Sequence, residues 1–408
     1  MENVAPIIIK NKMTWFESHC RKLVLSVFSK INYGVLEVVE GTEHSFFPNE
    51  NVKSQISGKI IIHDNSVYKD FVRGGSIGAA ESFIEGKWTS PDLTAVIRIF
   101  AKAQQQTDQL EKKGAWLNKL KNQFFHWQNR NNQSGSKRNI LAHYDLGNEL
   151  YTRFLDDSMM YSSAIYPSPE ATLAQAQQHK LKTICERLNL TADDHLLEIG
   201  TGWGGLAIYA AQHYGCKVTT TTISDAQYDF AQAKVTAAGL DQQITLLKDD
   251  YRDLQGQFDK LVSIEMIEAV GYEYLPSFFE VCNRCLKPGG KMLIQSITIA
   301  DQRFDYYKNN VDFIQRYIFP GGFLPSITVL SDHLTQHSEL VVESIDDIGL
   351  DYAKTLADWR TAFLNSWSEL TNFGYDEEFK RLWLYYFAYC EGAFLERSTS
   401  TVHLLARK

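Results

Sequence analysis

No window of this 408-residue chain approaches the ~18 unbroken apolar residues of a spanning helix, which argues against an integral helical membrane protein. Its opening, MENVAPIIIKNK, has no basic stretch ahead of the short apolar run, so it is not expected to act as a secretory signal. The six cysteines (Cys20, Cys185, Cys216, Cys282, Cys285, Cys390) have no framework spacing, which excludes a disulfide scaffold and fits a reduced, cytoplasmic protein. Cys282-x-x-Cys285 is a lone pair without a second half-site; it reads as helix packing, and no metal is expected. Excess positive charge is also missing. The net charge of −8 argues against a general nucleic-acid binder.

What remains is an ordinary globular composition, 44% hydrophobic and 22% charged, in a chain long enough for two domains. Its most informative stretch is LLEIGTGWGG, Leu196 to Gly205. An apolar run delivers Glu198 and then Gly200, Gly202 and Gly204 into the helical pattern GLAIYAAQHYG. This predicts a strand, a glycine turn and a helix start whose free N–H groups and bare backbone can approach a ligand. The spacing E-x-G-x-G-x-G differs from the dinucleotide G-x-G-x-x-G. It is the form that cradles the methionine part of S-adenosylmethionine (SAM), with no pyrophosphate to hold.

Strands are expected at 195–200, 217–223, 244–248, 258–265 and 291–299, with helices near 204–214, 225–238 and 274–286. That alternation predicts an α/β fold, a Rossmann-like parallel sheet with helices on both faces. Leu286 to Gly290 reads as the turn into the last strand. Beyond 300 the alternation stops and aromatic residues crowd in, from Tyr306 to Tyr389, which reads as a mostly helical lid over the sheet's C-terminal edge. Ahead of the sheet, LEVVEG and KIIIHD look like strands. Gly74 to Ala103 reads as helix, turn, helix, with Ser90-Pro91-Asp92 opening the second helix. The expected domains are a small α+β domain over 1–110, a segment 111–139, and a catalytic domain over 140–408.

The segment 111–139 has a distinct character. Between Glu111 and Arg138 stand seven Lys or Arg (Lys112, Lys113, Lys119, Lys121, Arg130, Lys137, Arg138) against one acid. Trp116, Leu117, Leu120, Phe124 and Trp127 recur at helical spacing beside them. A basic amphipathic helix with aromatic anchors suits a membrane surface, and a linker helix packed on its own protein fits equally well. The following NRNNQSGSKRN reads as a flexible linker.

Glu268 lies just past the strand FDKLVSIEM, at the edge where a ligand would sit, and is a candidate for acid–base work. Its neighbour Glu265 reads as a solvated helix start. The second strand, KVTTTTISDAQ, has no acid for a ribose until Asp225, so Thr222 and Gln227 are candidates to substitute for one. Asp249, Asp250 and Tyr251 are candidates for the adenine edge, a solvated acidic loop being the alternative. Cys390, taken alone, reads as buried filling in an aromatic helix.

These residues resemble the cyclopropane-fatty-acyl-phospholipid synthases and the related mycolic-acid cyclopropane synthases. The resemblance rests on ten stretches in order over roughly 70–400: GGSIGAAESFIEGKW, HYDLGNELY, MMYSSAIY, LEIGTGWGG, TTISDAQ, DYRDL, EMIEAVG, RYIFPGGFLPS, LDYAKTLADW and YYFAYCEGAF. It implies transfer of the SAM methyl to a cis double bond of an acyl chain, followed by loss of a proton and ring closure. A carbocation intermediate calls for a dry site rich in π faces. The resemblance further implies a bound bicarbonate as base, held by Glu268, Tyr352 and Ile297. Two positions depart from the family pattern: Ser163 stands for a usual cysteine and Gln295 for a usual histidine. Both can still donate hydrogen bonds to an anion, but a histidine able to share a proton is lost. Cys390 matches a family cysteine near the active site, taken as structural or substrate-lining. For SAM, the resemblance implies Tyr161, Ser162, Gly200, Gly202, Gly204, Thr222, Gln227, Asp250 and Tyr251, and the glycine motif adds Glu198.

The reading is therefore a SAM-dependent cyclopropane synthase working on unsaturated phospholipids at the inner membrane surface, with a homodimer left open. A methylene or methyl-branched product is the alternative suggested by Ser163 and Gln295. A non-catalytic SAM- or lipid-binding protein fits less well with Glu268, Tyr352 and an intact glycine turn. A small-molecule N- or O-methyltransferase leaves the N-terminal domain and basic segment without purpose.

Overall fold

The computed structural model describes residues 12–48, 56–111 and 147–408, with only the backbone for 104–111. The basic amphipathic stretch Trp116–Gln128 and the linker 129–139 lie outside the described residues. The chain divides into two compact units. One takes Met1–Asn118 with Ser368–Ser398, the other Lys119–Trp367 with Thr399–Lys408.

In the first unit, β1 (Val35–Glu40), β2 (Glu43–Phe47), β3 (Ser57–Ile62) and the short β4 (Trp88–Thr89) form a sheet of order β2-β1-β3-β4. Helix α1 (Trp15–Phe28) starts at a capping box in which Thr14 and Glu17 satisfy each other's backbone N–H. Helix α2 (Val67–Ile84) begins ahead of the expected Gly74 and bends at Gly75, whose φ of 55° and ψ of −133° only glycine adopts readily. Helix α3 (Leu93–Glu111) opens as expected, the Asp92 carboxylate accepting from the Ala95 N–H at 2.9 Å.

The helix Glu377–Leu395 also belongs to this unit, which corrects two expectations: the single catalytic domain over 140–408, and an aromatic lid extending to Tyr389. Its Trp383, Tyr385, Tyr386 and Phe387 are buried, Tyr385 against Phe83 at 5.6 Å. Thr94 Oγ1 donates to Glu391 at 2.9 Å and Arg98 Nε to Glu396 at 2.7 Å. A Cβ on Gly392 would lie 2.7 Å from Ile97, so the two helices touch backbone to side chain. Aromatic spacing alone did not distinguish a lid from the core of another unit.

The second unit is a seven-stranded sheet. Its chain order is α4 (Leu173–Arg187), β5 (His195–Ile199), α5 (Gly205–Tyr214), β6 (Lys217–Thr221), α6 (Asp225–Ala237), β7 (Ile244–Leu247), β8 (Phe258–Ile264), α7 (Leu275–Cys285) and β9 (Leu286–Ile299). Then come α8 (Ile327–His337), β10 (Val341–Asp347), α9 (Gly349–Asn365) and β11 (Thr399–Arg407). The spatial order is β10-β11-β9-β8-β5-β6-β7, parallel from β9 to β7, with β11 antiparallel to both β9 and β10.

Successive strand residues face opposite layers. Leu197, Leu261, Ile294 and Leu404 pack with Phe278 and Cys282 of α7 and Leu330 of α8. Leu196, Val262, Leu293 and Leu405 pack with Leu181 and Ile184 of α4 and Leu206 and Ala210 of α5. Cys282 and Cys285 are both buried in the first of these layers, in the packing role expected of them. The Leu286–Gly290 turn is absorbed into β9 as an irregularity, with Gly289 at φ 78° donating its N–H to the Lys408 carbonyl at 2.8 Å. Among the described residues no helix is long and apolar enough to cross a membrane.

Candidate active site

Parallel strands bring their C-terminal ends to one edge, and the chain turns in opposite directions from β5, toward β6 on one side and β8 on the other. The crevice at such a switch point is where open α/β sheets bind ligands. The glycine turn leaves β5 here. Gly200 and Thr201 donate their N–H groups to the Thr221 carbonyl of β6 at 3.1 and 3.0 Å, which clamps the start of the turn. Gly202 has φ 52° and nothing within 4 Å of where a Cβ would stand, so its bare backbone faces open space. Gly204, at φ 87°, caps α5. This cradle fits the close approach of a SAM methionine moiety, the role expected of the glycines.

Glu198 is buried one strand away from Thr220, whose Oγ1 donates to it at 2.6 Å; burial pushes the carboxyl up to about 8. Past the end of β6, Thr222 Oγ1 donates to Gln227 Oε1 at 3.0 Å, and Ser224 caps α6 through the Gln227 N–H. The two residues expected to replace a ribose-binding acid therefore sit together at the correct strand end. Asp250 lies past β7 and is engaged bidentately by Arg252 at 2.8 and 2.6 Å. Tyr251 packs its ring on Phe278 at 5.7 Å, and its hydroxyl is buried without a partner.

The centre of the site forms around Glu265, the residue expected to face solvent. That expectation is corrected. Ser163 N–H donates to Glu265 Oε1 at 2.9 Å, Gln295 Nε2 donates to the same oxygen at 2.7 Å, and Tyr352 O–H donates to Oε2 at 2.8 Å. Glu265 also has φ 47°, a left-handed conformation that costs a non-glycine residue about 1–3 kcal/mol and recurs at functional sites. Its own N–H donates to the Gln295 carbonyl at 2.8 Å, which holds the strand end in place. Burial raises its carboxyl above the usual range, opposed by the three donors and by Lys180.

Lys180, on α4, carries nothing in its sequence context to separate it from a surface lysine, yet it is fully buried. Its Nζ donates to Ser162 Oγ at 2.7 Å, and burial lowers its pKa against the pull of Glu265 and Asp156. Ser162 is thus tied to Lys180, and its neighbour Ser163 to Glu265.

Glu268 sits one turn on. Its Oε1 accepts from the Ile297 N–H at 2.6 Å and from Ser296 Oγ at 3.0 Å, while Oε2 is buried with no partner. Burial first, then the charge of Glu265, pushes its carboxyl up to about 8. The donors expected for bicarbonate are therefore spent within the protein: the Ser163 N–H, Gln295 and Tyr352 on Glu265, the Ser163 hydroxyl on the Ala164 carbonyl at 3.0 Å, and the Ile297 N–H on Glu268. Gln295 has no free donor left, since Nε2 also bonds the Ser163 carbonyl at 3.2 Å. The residues present do not fit a bicarbonate held by that set.

Beside these carboxylates stands a cluster of rings. Tyr161 packs on Trp359 at 5.2 Å, Tyr151 at 5.3 Å, Phe154 at 5.9 Å and Phe319 at 6.4 Å. Tyr352 meets Trp359 edge-on at 6.0 Å, and Tyr151 meets Trp203 of the glycine turn at 4.9 Å. Aromatic faces stabilise a cation electrostatically. Cys390, matched to a family cysteine, lies on the helix Glu377–Leu395 of the first unit.

The family model described as mycolic acid cyclopropane synthetase matches residues 131–404. The chain is 38% identical over 330 residues to the tuberculostearic acid methyltransferase UfaA1 of Mycobacterium tuberculosis, covering 79% of this chain and 76% of that one. It is 38% identical over 348 residues to the cyclopropane-fatty-acyl-phospholipid synthase of Escherichia coli K12, covering 83% and 85%. Among solved structures, the cyclopropane synthase MmaA2 of Mycobacterium tuberculosis is similar with a TM-score of 0.62 and 25% identity, covering 67% of this chain and 98% of that one. The mycolic acid cyclopropane synthase CmaA1, complexed with SAH and CTAB, gives 0.61 and 26%, covering 67% and 98%.

Proposed function

The chain belongs to the mycolic acid cyclopropane synthetase family of SAM-dependent methyltransferases that modify unsaturated lipid chains, and we propose that it converts a cis double bond of a phospholipid acyl chain into a cyclopropane. The observation that carries this reading is the ring cluster of Tyr161, Trp359 and Tyr352, joined to the half-buried carboxylate of Glu265 by the Tyr352 hydroxyl. An alkene is a weak nucleophile and its methylation product is a cation. Such a reaction needs π faces, few water molecules and a nearby base, and the cluster supplies that combination.

Bound SAM supplies the electrophilic methyl. The glycine turn would hold its methionine part, with Thr222 and Gln227 facing the ribose. Tyr161 and Trp359 would flank the developing positive charge and keep water from capturing it. The acyl chain would come from a membrane at the cytoplasmic face, with the basic segment Glu111–Arg138 attracted to anionic headgroups.

A second reading, a methylene or methyl-branched product, is favoured by Ser163 and Gln295 and by the 38% identity to a tuberculostearic acid methyltransferase. Fatty-acid mass spectrometry of a host expressing the chain separates the two. Gain of one CH2 with loss of the double bond supports the cyclopropane; gain of one CH2 with an unsaturation that hydrogenates away supports the methylene. Unchanged lipids would sink both.

A further inference from the structure

Three donors of this site converge on one protein carboxylate: Ser163 N–H, Gln295 Nε2 and Tyr352 O–H, all within 2.9 Å of Glu265. A glutamate carboxylate and a bicarbonate ion present similar pairs of sp² oxygens, so a set of donors shaped for one is shaped for the other. The placement is also suited to chemistry. Met266, the next residue, comes within 3.1 Å of where a Cβ on Gly200 would stand, so this strand end touches the glycine turn. Tyr352, bonded to Glu265, leads through Trp359 to Tyr161. Glu265 thus lies between the cradle for the methyl donor and the wall of rings, and its φ of 47° marks a backbone held in a costly conformation at that point.

We infer that Glu265 is the proton acceptor of the ring-closing step, its own carboxylate standing where a bound bicarbonate would otherwise be needed. This rests on the cyclopropane reading above. In the step, the alkene π pair forms a C–C bond to the methyl as the S–C bond breaks, leaving a neutral thioether and a cation on the other alkene carbon. Glu265 takes a proton from the added methyl. The C–H pair closes the ring onto the cation, and the carboxylic acid then returns its proton to water. A carboxyl raised by burial is a stronger base than an exposed one, and Lys180 offsets its charge between turnovers.

The test uses the full chain on vesicles of unsaturated phospholipid with SAM, in carbonate-free and bicarbonate-containing buffer. Wild type should form cyclopropane equally fast in both. Glu265→Gly should lose about 10²-fold or more in kcat, the usual worth of a positioned base, while calorimetric SAM affinity stays unchanged. Glycine tolerates the backbone angle and leaves three donors facing a carboxylate-sized gap, so bicarbonate or formate should restore turnover in a saturable way. Glu265→Gln fills the gap with an amide and should not be rescued. A role confined to structure would give no such rescue. The inference is overturned if wild type needs bicarbonate for ring closure, or if Glu265→Gly turns over at the wild-type rate without an added carboxylate. Should the glycine variant fail to fold, the wild-type comparison decides alone. A wild type that forms no cyclopropane in either buffer overturns the functional reading itself, which is a different result from cyclopropane formed only with bicarbonate.

Discussion

His403 Nε2 lies 2.9 Å from Gln295 Oε1, deep between β11 and β9, and this contact decides which way the Gln295 amide faces. Burial lowers the His403 pKa to about 3, so the ring is neutral and its one N–H is placed on Nε2 to meet the amide oxygen. The amide nitrogen is thereby turned toward Glu265. The histidine's other nitrogen is buried without a partner, a cost that this orientation accepts.

Removing that contact should loosen the amide. His403→Ala is expected to lower kcat by about tenfold, one hydrogen bond's worth of positioning, with a smaller change in the KM for SAM. Steady-state kinetics read both. Equal losses in kcat and SAM affinity would mean general unfolding of the strand pair and no orienting role.

Gly202 should tolerate no side chain while SAM is bound. Its φ of 52° and its open Cβ direction place any added group in the cradle. Gly202→Val should fold, as judged by circular dichroism, with some loss of stability from the left-handed backbone. It should lose at least about tenfold in SAM affinity because its side chain would fill the cradle, a loss of about 1.4 kcal/mol or more. Calorimetry giving near-normal affinity would defeat the assignment of this turn.

Glu268→Gln keeps the shape of the side chain and one acceptor for the Ile297 N–H. It should depress turnover far more than SAM affinity. A variant working at the wild-type rate would remove Glu268 from the chemistry.

Stability should fall with rising pH through the site's buried carboxyls. Glu198 and Glu268 have folded pKa values raised to about 8 from 4.5. Their contribution is fully present below the unfolded value and is lost as pH climbs through the folded one. Each can add a slope of up to about 1.4 kcal/mol per pH unit in that window. Urea unfolding of the ligand-free protein at pH 5 and pH 8 should give the lower midpoint at pH 8, and Glu198→Gln should narrow the gap. An unchanged gap would place the pH dependence elsewhere.

Replacing Lys112, Lys113, Lys119 and Lys121 with glutamine should weaken binding to anionic vesicles, by about 1 kcal/mol per residue at most. Turnover on vesicles should fall in step while SAM affinity holds, and added salt should imitate the variant. Equal vesicle sedimentation at low salt would leave the stretch as a packed linker.

The strands β5 to β9 and the helices between them were legible because each is an apolar run closed by turn residues, and their ends agree with expectation within a few positions. β10 was not legible: VVESIDD is an edge strand with half its residues polar, and only pairing with β11 makes it a strand. The glycine turn and the Thr222–Gln227 pair were readable because local spacing sets them. Glu265 was misread because its environment is made by residues 102 and 87 positions away, Ser163 and Tyr352, and no local pattern carries that information. Lys180 was hidden for the same reason. Its sequence, QQHKLKT, is that of an exposed helix face.

The two units are interlaced along the chain. The backbone enters the first, passes to the second, returns for Ser368–Ser398, and ends in β11 of the second. Neither can be cut away at a single peptide bond. Removing the N-terminal residues would strip the partners from Glu377–Leu395 and expose the face carrying Tyr385 and Gly392, while trimming from the other end would take β11 out of the interior of the sheet. A shorter chain without the N-terminal unit would therefore need a different surface on a helix almost three hundred residues downstream, where Thr94 and Arg98 now meet Glu391 and Glu396.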